Sequence, residues 1–394
     1  MCFLSVFFLF NVALGVFPPI LPQLMTDLEL SFATAGLLGT AFGLSRFLVD
    51  IPTGILVERL GIPVILHGAA GLLVLGTLLS AVASSFWGMC LARALLGAGS
   101  GMAMVFAVLY LMQHALENRT RRANLYEMSV ISGMAVSAEM GGVIASWWGW
   151  RWSFVAGLFF LALAWAIVAW GVLPGVRSLL PGIPTSLSAP SEGRSARGPL
   201  LVIFMLVFGQ AFAWGGGIST LLPLYGGDRL MLSPEAIGQT MAIAFWVEVC
   251  LLFPVGWAAD VWGKTTVVLP GFIAMLVGSL IVPFTNTAWA FGAAFVLLVS
   301  GMSVWMAAPG LLAEWSPGGF RGRSAGLYRL VTDFAFVLSP GIVGWMIGSY
   351  GFTGAAVVIA AVLALAIILA VRFLANPASR IRGYRDTQVP ESRS

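Results

Sequence analysis

Charge is scarce in this sequence. Only 9% of its 394 residues are Asp, Glu, Lys or Arg, where a water-soluble domain carries about one-quarter. Water is therefore not the main solvent of the folded chain. Lysine is nearly absent, Lys264 being the only one among 20 Lys and Arg. The two histidines, His67 and His114, have no ligand-spaced companions, and Cys2, Cys90 and Cys250 sit in apolar stretches without partner spacing. Neither a metal site nor a disulfide framework is implied. No Gly-x-Ser-x-Gly elbow or phosphate loop occurs, and the 16 acidic residues leave no evident catalytic pair. These absences argue against an enzyme, and no cofactor is expected. The first apolar run has no basic leader and no small-residue cleavage site, so a removable signal peptide is not expected.

What the sequence has is hydrocarbon. Apolar residues make up 59% of the chain, and the mean hydropathy is +0.97. Runs long enough to cross ~30 Å of hydrocarbon as helices lie near 3–25, 32–56, 63–84, 87–112, 123–147 and 152–174. Six more lie near 199–225, 235–258, 265–284, 287–312, 323–348 and 352–374. Only helices and closed barrels satisfy their backbones in lipid, and these runs lack the alternation of barrel strands. The expectation is an all-α polytopic membrane protein of twelve spans. With both termini on the cytoplasmic side, sixteen basic residues fall in or beside inner loops and only Arg151 and Arg229 outside. That bias sets the orientation, and the net charge of +4 then reflects topology and not a nucleic-acid partner.

The first half returns in the second at an offset of 202 positions. Gly54, Glu58 and Gly61 reappear as Gly256, Asp260 and Gly263, and Arg119, Arg121, Leu125 and Tyr126 as Arg321, Arg323, Leu327 and Tyr328. Gly36/Gly238, Ser137/Ser339, Gly142/Gly344 and Gly149/Gly351 keep the same offset. Duplication within a membrane is a feature of transporters that rock two halves about a central site. The expected organisation is a six-helix bundle over 1–174, a cytoplasmic linker over 175–198, a second bundle over 199–374 and a basic cytoplasmic tail over 375–394.

Gly54-Ile-Leu-Val-Glu58-Arg59-Leu-Gly61, with its copy Gly256-Trp-Ala-Ala-Asp260-Val-Trp-Gly263-Lys264, resembles the loop signature of the major facilitator superfamily. Arg93-Ala-Leu-Leu-Gly97-Ala-Gly99 looks like that superfamily's second motif. Leu14-Gly15 with Pro19-Ile-Leu-Pro22 resembles a pattern of its twelve-span drug:proton antiporters. Two departures accompany the resemblance: Pro63 and Val64 stand where further basic residues are usual, and Ser137-Ala138 replaces the Gly-Pro of the antiporter pattern in span five. The resemblance implies two pseudo-two-fold bundles, with spans one, four, seven and ten lining a cavity. It also implies secondary active transport, with proton-coupled export of a small organic solute as the first expectation. Uptake of a small organic anion and a non-transporting sensor are the alternatives. Protons, or sodium, would be the coupling ion, membrane lipids the surroundings, and a monomer the assembly.

Residues that carry this reading fall into three groups. Gly54, Glu58, Arg59, Gly61, Gly256, Asp260, Gly263 and Lys264 form the candidate cytoplasmic gate, because the glycines let helices approach closely and the acids suit a facing helix N-terminus. Arg46, Asp50, Glu139, Glu248 and Asp333 are charges inside spans, each costing about 2.5–3.5 kcal/mol on insertion scales. Counted depth sets Arg46 level with Asp333, which predicts a charge cluster with Asp50 that couples protonation to the gate, unless Arg46 and Asp50 pair within one helix. Arg93 is expected to pair with Glu139 or to donate to backbone carbonyls of span one. Glu248, without an evident basic neighbour, is the candidate proton carrier, since desolvation favours a neutral carboxyl. Asn11, Arg93, Gln210, Trp214, Ser303 and Trp305, with the run Gly215–Gly217, are the candidate cavity residues.

Overall fold

The computed structural model describes residues 2–114, 119–172, 197–305, 311 and 322–374. Most of the expected linker, the expected tail and Pro309 lie outside these residues, as do the side chains of Glu58, Arg121 and Arg323. Every regular element among the described residues is helical. Ten helices are long and apolar enough to cross a membrane. One of them, Leu327–Arg372, holds two crossings, divided at Gly351, whose φ of 72° and ψ of −179° break the helix. The shorter apolar helix Ala288–Val304 supplies span ten, and twelve crossings result, arranged as two pseudo-two-fold bundles of six.

The repeat is written into the turns. Gly61 and Gly263 have φ of 79° and 92°, and Gly149 and Gly351 have φ of 89° and 72°. A side chain with a Cβ is strained in that region, so four helix reversals rest on glycine at the 202 offset. The helix caps repeat as well. Ser31 and Ser233 accept hydrogen bonds from the backbone N–H of Thr34 and Ala236, and Ser85 and Thr287 from those of Gly88 and Ala290. Each satisfies a donor that a helix start leaves unpaired.

Two spans are broken where they line the centre. Span one runs as Cys2–Leu14 and Phe17–Asp27, its second part opening on Pro18 and Pro19. A Cβ at Gly15, in the break, would lie 2.9 Å from Cβ of Ser137 in span five. Span seven runs as Arg197–Phe212, a π-helical stretch Ala213–Leu221 and Leu222–Asp228. The wide turn falls on Gly215, Gly216 and Gly217, which weaken regular helix, and Thr220 Oγ1 donates to the Gly215 carbonyl at 2.9 Å.

The halves interlock at the end carrying Gly149 and Gly351, termed here the far end. Span two packs on span eleven, with a Cβ at Gly36 3.0 Å from the Gly344 Cα. Span eight packs on span five in the repeat-related manner, with a Cβ at Gly238 3.2 Å from the Gly142 Cα and in contact with the Ala138 carbonyl oxygen. The Glu235 N–H donates to Ser146 Oγ at 2.9 Å and Thr40 Oγ1 donates to the Val337 carbonyl at 2.8 Å. At the opposite end, which carries Gly61 and Gly263, a Cβ at Gly54 would have no heavy atom of the described residues within 4 Å. Backbone cannot yield as a flexible side chain can, so Gly238→Ala is expected to loosen far-end closure. A cysteine at buried Leu21, in a protein lacking Cys2, Cys90 and Cys250, should then label severalfold faster from the far side; unchanged labelling would contradict this reading of the interface.

Candidate functional site

A charge ladder joins the halves on spans two and eleven. Arg46 Nε lies 2.9 Å from Asp333 Oδ1, and Asp333 is 1% exposed. The approach is an ion contact off the N–H line, since neither Arg46 Nε nor either Asp333 oxygen has an aligned hydrogen bond. One turn away, Arg329 grips Asp50 in a bidentate fork, Nη2 to Oδ1 at 2.9 Å and Nε to Oδ2. Arg329 Nε also lies 3.6 Å from Asp333 Oδ2. The four charges therefore neutralise one another in pairs across the interface, and Asp50 pairs with Arg329 rather than with Arg46. Sequence reading counted Arg329 among the loop arginines and so missed its role. The ladder is formed while no described residue packs on Gly54.

The repeat-related positions on spans five and eight are different in kind. At the 202 offset, Arg46 corresponds to Glu248 and Arg329 to Glu127, while Asp50 and Asp333 correspond to Leu252 and Ile131. Two cations with two counter-ions on one side become two acids with none on the other. Both carboxylates line one cavity. Glu248 is 5% exposed, and among the described residues no cation lies within ion-pair distance of either acid. Glu127, one position beyond the repeated Tyr126, was not singled out from the sequence, although the offset carried to Arg329 would have found it.

That cavity lies between the halves and has a volume of about 230 Å³. Asn11, Arg93, Trp214 and Trp305 line it, as do Arg46 and Glu248. Phe10, Phe245 and Phe336 make much of its remaining wall aromatic. Gln210 and Ser303 fall elsewhere. Gln210 Nε2 donates to the Met302 carbonyl at 3.3 Å, and Ser303 Oγ to the Ser300 carbonyl at 2.7 Å, so these two groups are spent on backbone carbonyls of span ten.

Arg93 does not pair with Glu139. Its guanidinium stacks 3.8 Å from the Phe17 ring centroid and 4.6 Å from that of Phe42, and Nε makes a long 3.5 Å bond to the Leu38 carbonyl. Glu139 is exposed on span five. The expected pair rested on similar depth, and the two helices are rotated so that the side chains diverge. The other expectation, donation to backbone carbonyls of span one, is not met either: the carbonyl that Arg93 reaches is that of Leu38 in span two.

Asp260 and Arg59 are exposed and Lys264 half-buried. A Cβ at Gly256 would sit 3.6 Å from Asn124 Nδ2 of span five, an ordinary contact with room to tighten.

Residues 3–233 and 203–391 each match the family model of the Major Facilitator Superfamily. The inner membrane transport protein YajR of Escherichia coli (strain K12) is 26% identical over 375 residues, covering 91% of this chain and 79% of that protein. The quinolone resistance protein NorA of Staphylococcus aureus is 27% identical over 238 residues, 58% of this chain and 59% of NorA. The crystal structure of a D-xylose-proton symporter superposes with a TM-score of 0.75 at 16% identity, covering 94% of this chain and 96% of the symporter.

Proposed function

The chain belongs to the Major Facilitator Superfamily, and from that premise we propose that it exports a small amphipathic organic solute in exchange for protons. It is an integral, multi-pass membrane transporter and not an enzyme. The observation that carries the exchange reading is the acid pair Glu127 and Glu248, which lines the central cavity without counter-ions. Two carboxylates that share one cavity can each take up a proton or meet a cationic group of the solute. A proton and the solute then compete for one site, and competition at a site open to alternate sides is the requirement for antiport.

Three further features support the reading. The aromatic wall suits an apolar body, and Met134 and Met302 in it adapt to shape. The basic residues favour an inner membrane orientation with Gly61 and Gly263 on the cytoplasmic side. The conformation, interlocked at the far end, is then the one that loads solute from inside. NorA, a resistance protein by name, resembles part of the chain.

A thermal-shift screen of the purified protein against compound classes identifies a solute for reconstitution. Flux of that solute out of a compartment should rise severalfold when protons are made to run the opposite way, and stay unchanged under a sodium gradient. Flux indifferent to both gradients would make the protein a facilitator. The second reading, uptake of an organic anion, is favoured by Arg93, which is 7% exposed and faces no carboxylate among the described residues. Solute and protons moving together would establish it.

A further inference from the structure

We propose that the solute is a zwitterion, held with its anionic end at Arg93 and its cationic end between Glu127 and Glu248. The proposal rests on the central cavity being the solute site and narrows what that site takes.

The cationic pole is Arg93. Its aliphatic stem and ring contacts are apolar, and of its five N–H donors only Nε is committed among the described residues, in the long bond to Leu38. The other donors are left for the cavity that Arg93 lines. Phe17 and Phe42 hold the guanidinium by its faces, which leaves its edge free for bidentate recognition of a carboxylate. Among the described residues no acid meets it. Arg46 cannot play this part, because Asp333 already neutralises it.

The anionic pole is the carboxylate pair. Glu248 is buried, lines the same cavity and has no hydrogen-bond or ion-pair partner among the described residues. The positions that would hold its counter-charges, by analogy with the ladder in the other interface, are Leu252 and Ile131. Counting 1.5 Å per residue from Trp87 and from Gly256 across ~30 Å of hydrocarbon puts the poles about 9 Å apart along the bundle axis. Phe10, Trp214, Phe245, Trp305 and Phe336 line the same cavity.

Charge counting selects the ligand. A neutral solute leaves both poles uncompensated in a poorly solvated cavity. An amine satisfies the acids and leaves Arg93 bare, and an organic acid does the reverse. With one proton shared by the two carboxylates, the cavity carries one positive and one negative charge. A solute with a carboxylate at one end and an ammonium at the other neutralises both, and where both carboxylates hold a proton its ammonium displaces one of the two.

Calorimetric titration of the full-length protein with four matched probes tests this: para-aminoethylbenzoate, phenethylamine, para-ethylbenzoate and phenylethanol. The zwitterion is expected to bind roughly tenfold or more tightly than either singly charged probe. Arg93→Gln should weaken the zwitterion and para-ethylbenzoate by roughly tenfold while changing phenethylamine little, and Glu248→Gln should do the converse. The probe that each variant still binds shows that it has folded. Phenethylamine or phenylethanol binding as tightly as the zwitterion overturns the proposal and leaves the cavity as a solute site. Arg93→Gln without effect on the zwitterion does the same. Failure of all four probes also overturns it, and if the wider thermal-shift screen finds no ligand either, the cavity reading falls with it.

Discussion

Asp333→Asn is expected to destabilise the protein by about 3–5 kcal/mol, the range for breaking a buried ion pair from one side. Asp333 is 1% exposed and touches two cations, Arg46 at 2.9 Å and Arg329 at 3.6 Å. An amide in its place leaves Arg46 with only the Phe336 ring, 5.6 Å away, while Arg329 keeps Asp50. The loss is therefore mostly the burial of one uncompensated guanidinium. Removing that guanidinium as well should undo most of the damage. The pair Arg46→Gln with Asp333→Asn leaves the neutral Asp50–Arg329 fork intact, and buried pairs replaced on both sides are often close to neutral. Thermal melts in detergent decide it. The double variant should melt near the parent and well above Asp333→Asn; equal melting of single and double variants would show that the ladder is not an electrostatic unit.

Glu248→Gln is expected to abolish proton-driven movement, reducing uphill flux to that of protein-free vesicles. The amide is isosteric, so packing against its neighbours in span eight is kept, but it neither takes up nor releases a proton at physiological pH. Downhill exchange of solute should survive, at reduced affinity for a cationic group. Glu127→Gln should act in the same direction and less severely, because Glu127 is only half-buried. If Glu248→Gln retains full response to a pH gradient, the coupling proton is carried elsewhere, and Asp50 and Asp333 become the acids to replace next.

Much of the architecture was legible because hydrophobic runs and a long-period repeat are properties of the chain itself. Gly36/Gly238 and Gly142/Gly344 stood out as a bare spacing, and the structure gives the reason: each glycine of span two or eight meets its partner on span eleven or five. The helix caps at Ser31, Ser85, Ser233 and Thr287 keep the same offset, yet cap identity is too common among Ser and Thr to be noticed without coordinates. Individual side-chain partners were harder. Depth is counted in residues and survives reading from sequence, as with Arg46 and Asp333. Rotation about a helix axis depends on packing, and it turned Arg93 toward Phe17 and Phe42 and left Glu139 exposed. Gln210 and Ser303 were placed on the correct spans, but a polar group on a cavity-lining helix can be satisfied by a neighbouring backbone carbonyl, which sequence does not show. Glu127 and Arg329 sat one step past the repeated tyrosines. The informative comparison there was a difference between the halves, acids against arginines, and a search for likeness passes over it.

In the proposed exchange, solute and proton compete at Glu127 and Glu248. The most direct measurement is proton release on binding, followed with a pH-indicating dye in weakly buffered detergent as a solute from the thermal-shift screen is added to purified protein. The parent should release protons in proportion to solute bound, and Glu248→Gln should bind more weakly and release none. Saturable binding to the parent with no proton released would contradict the account.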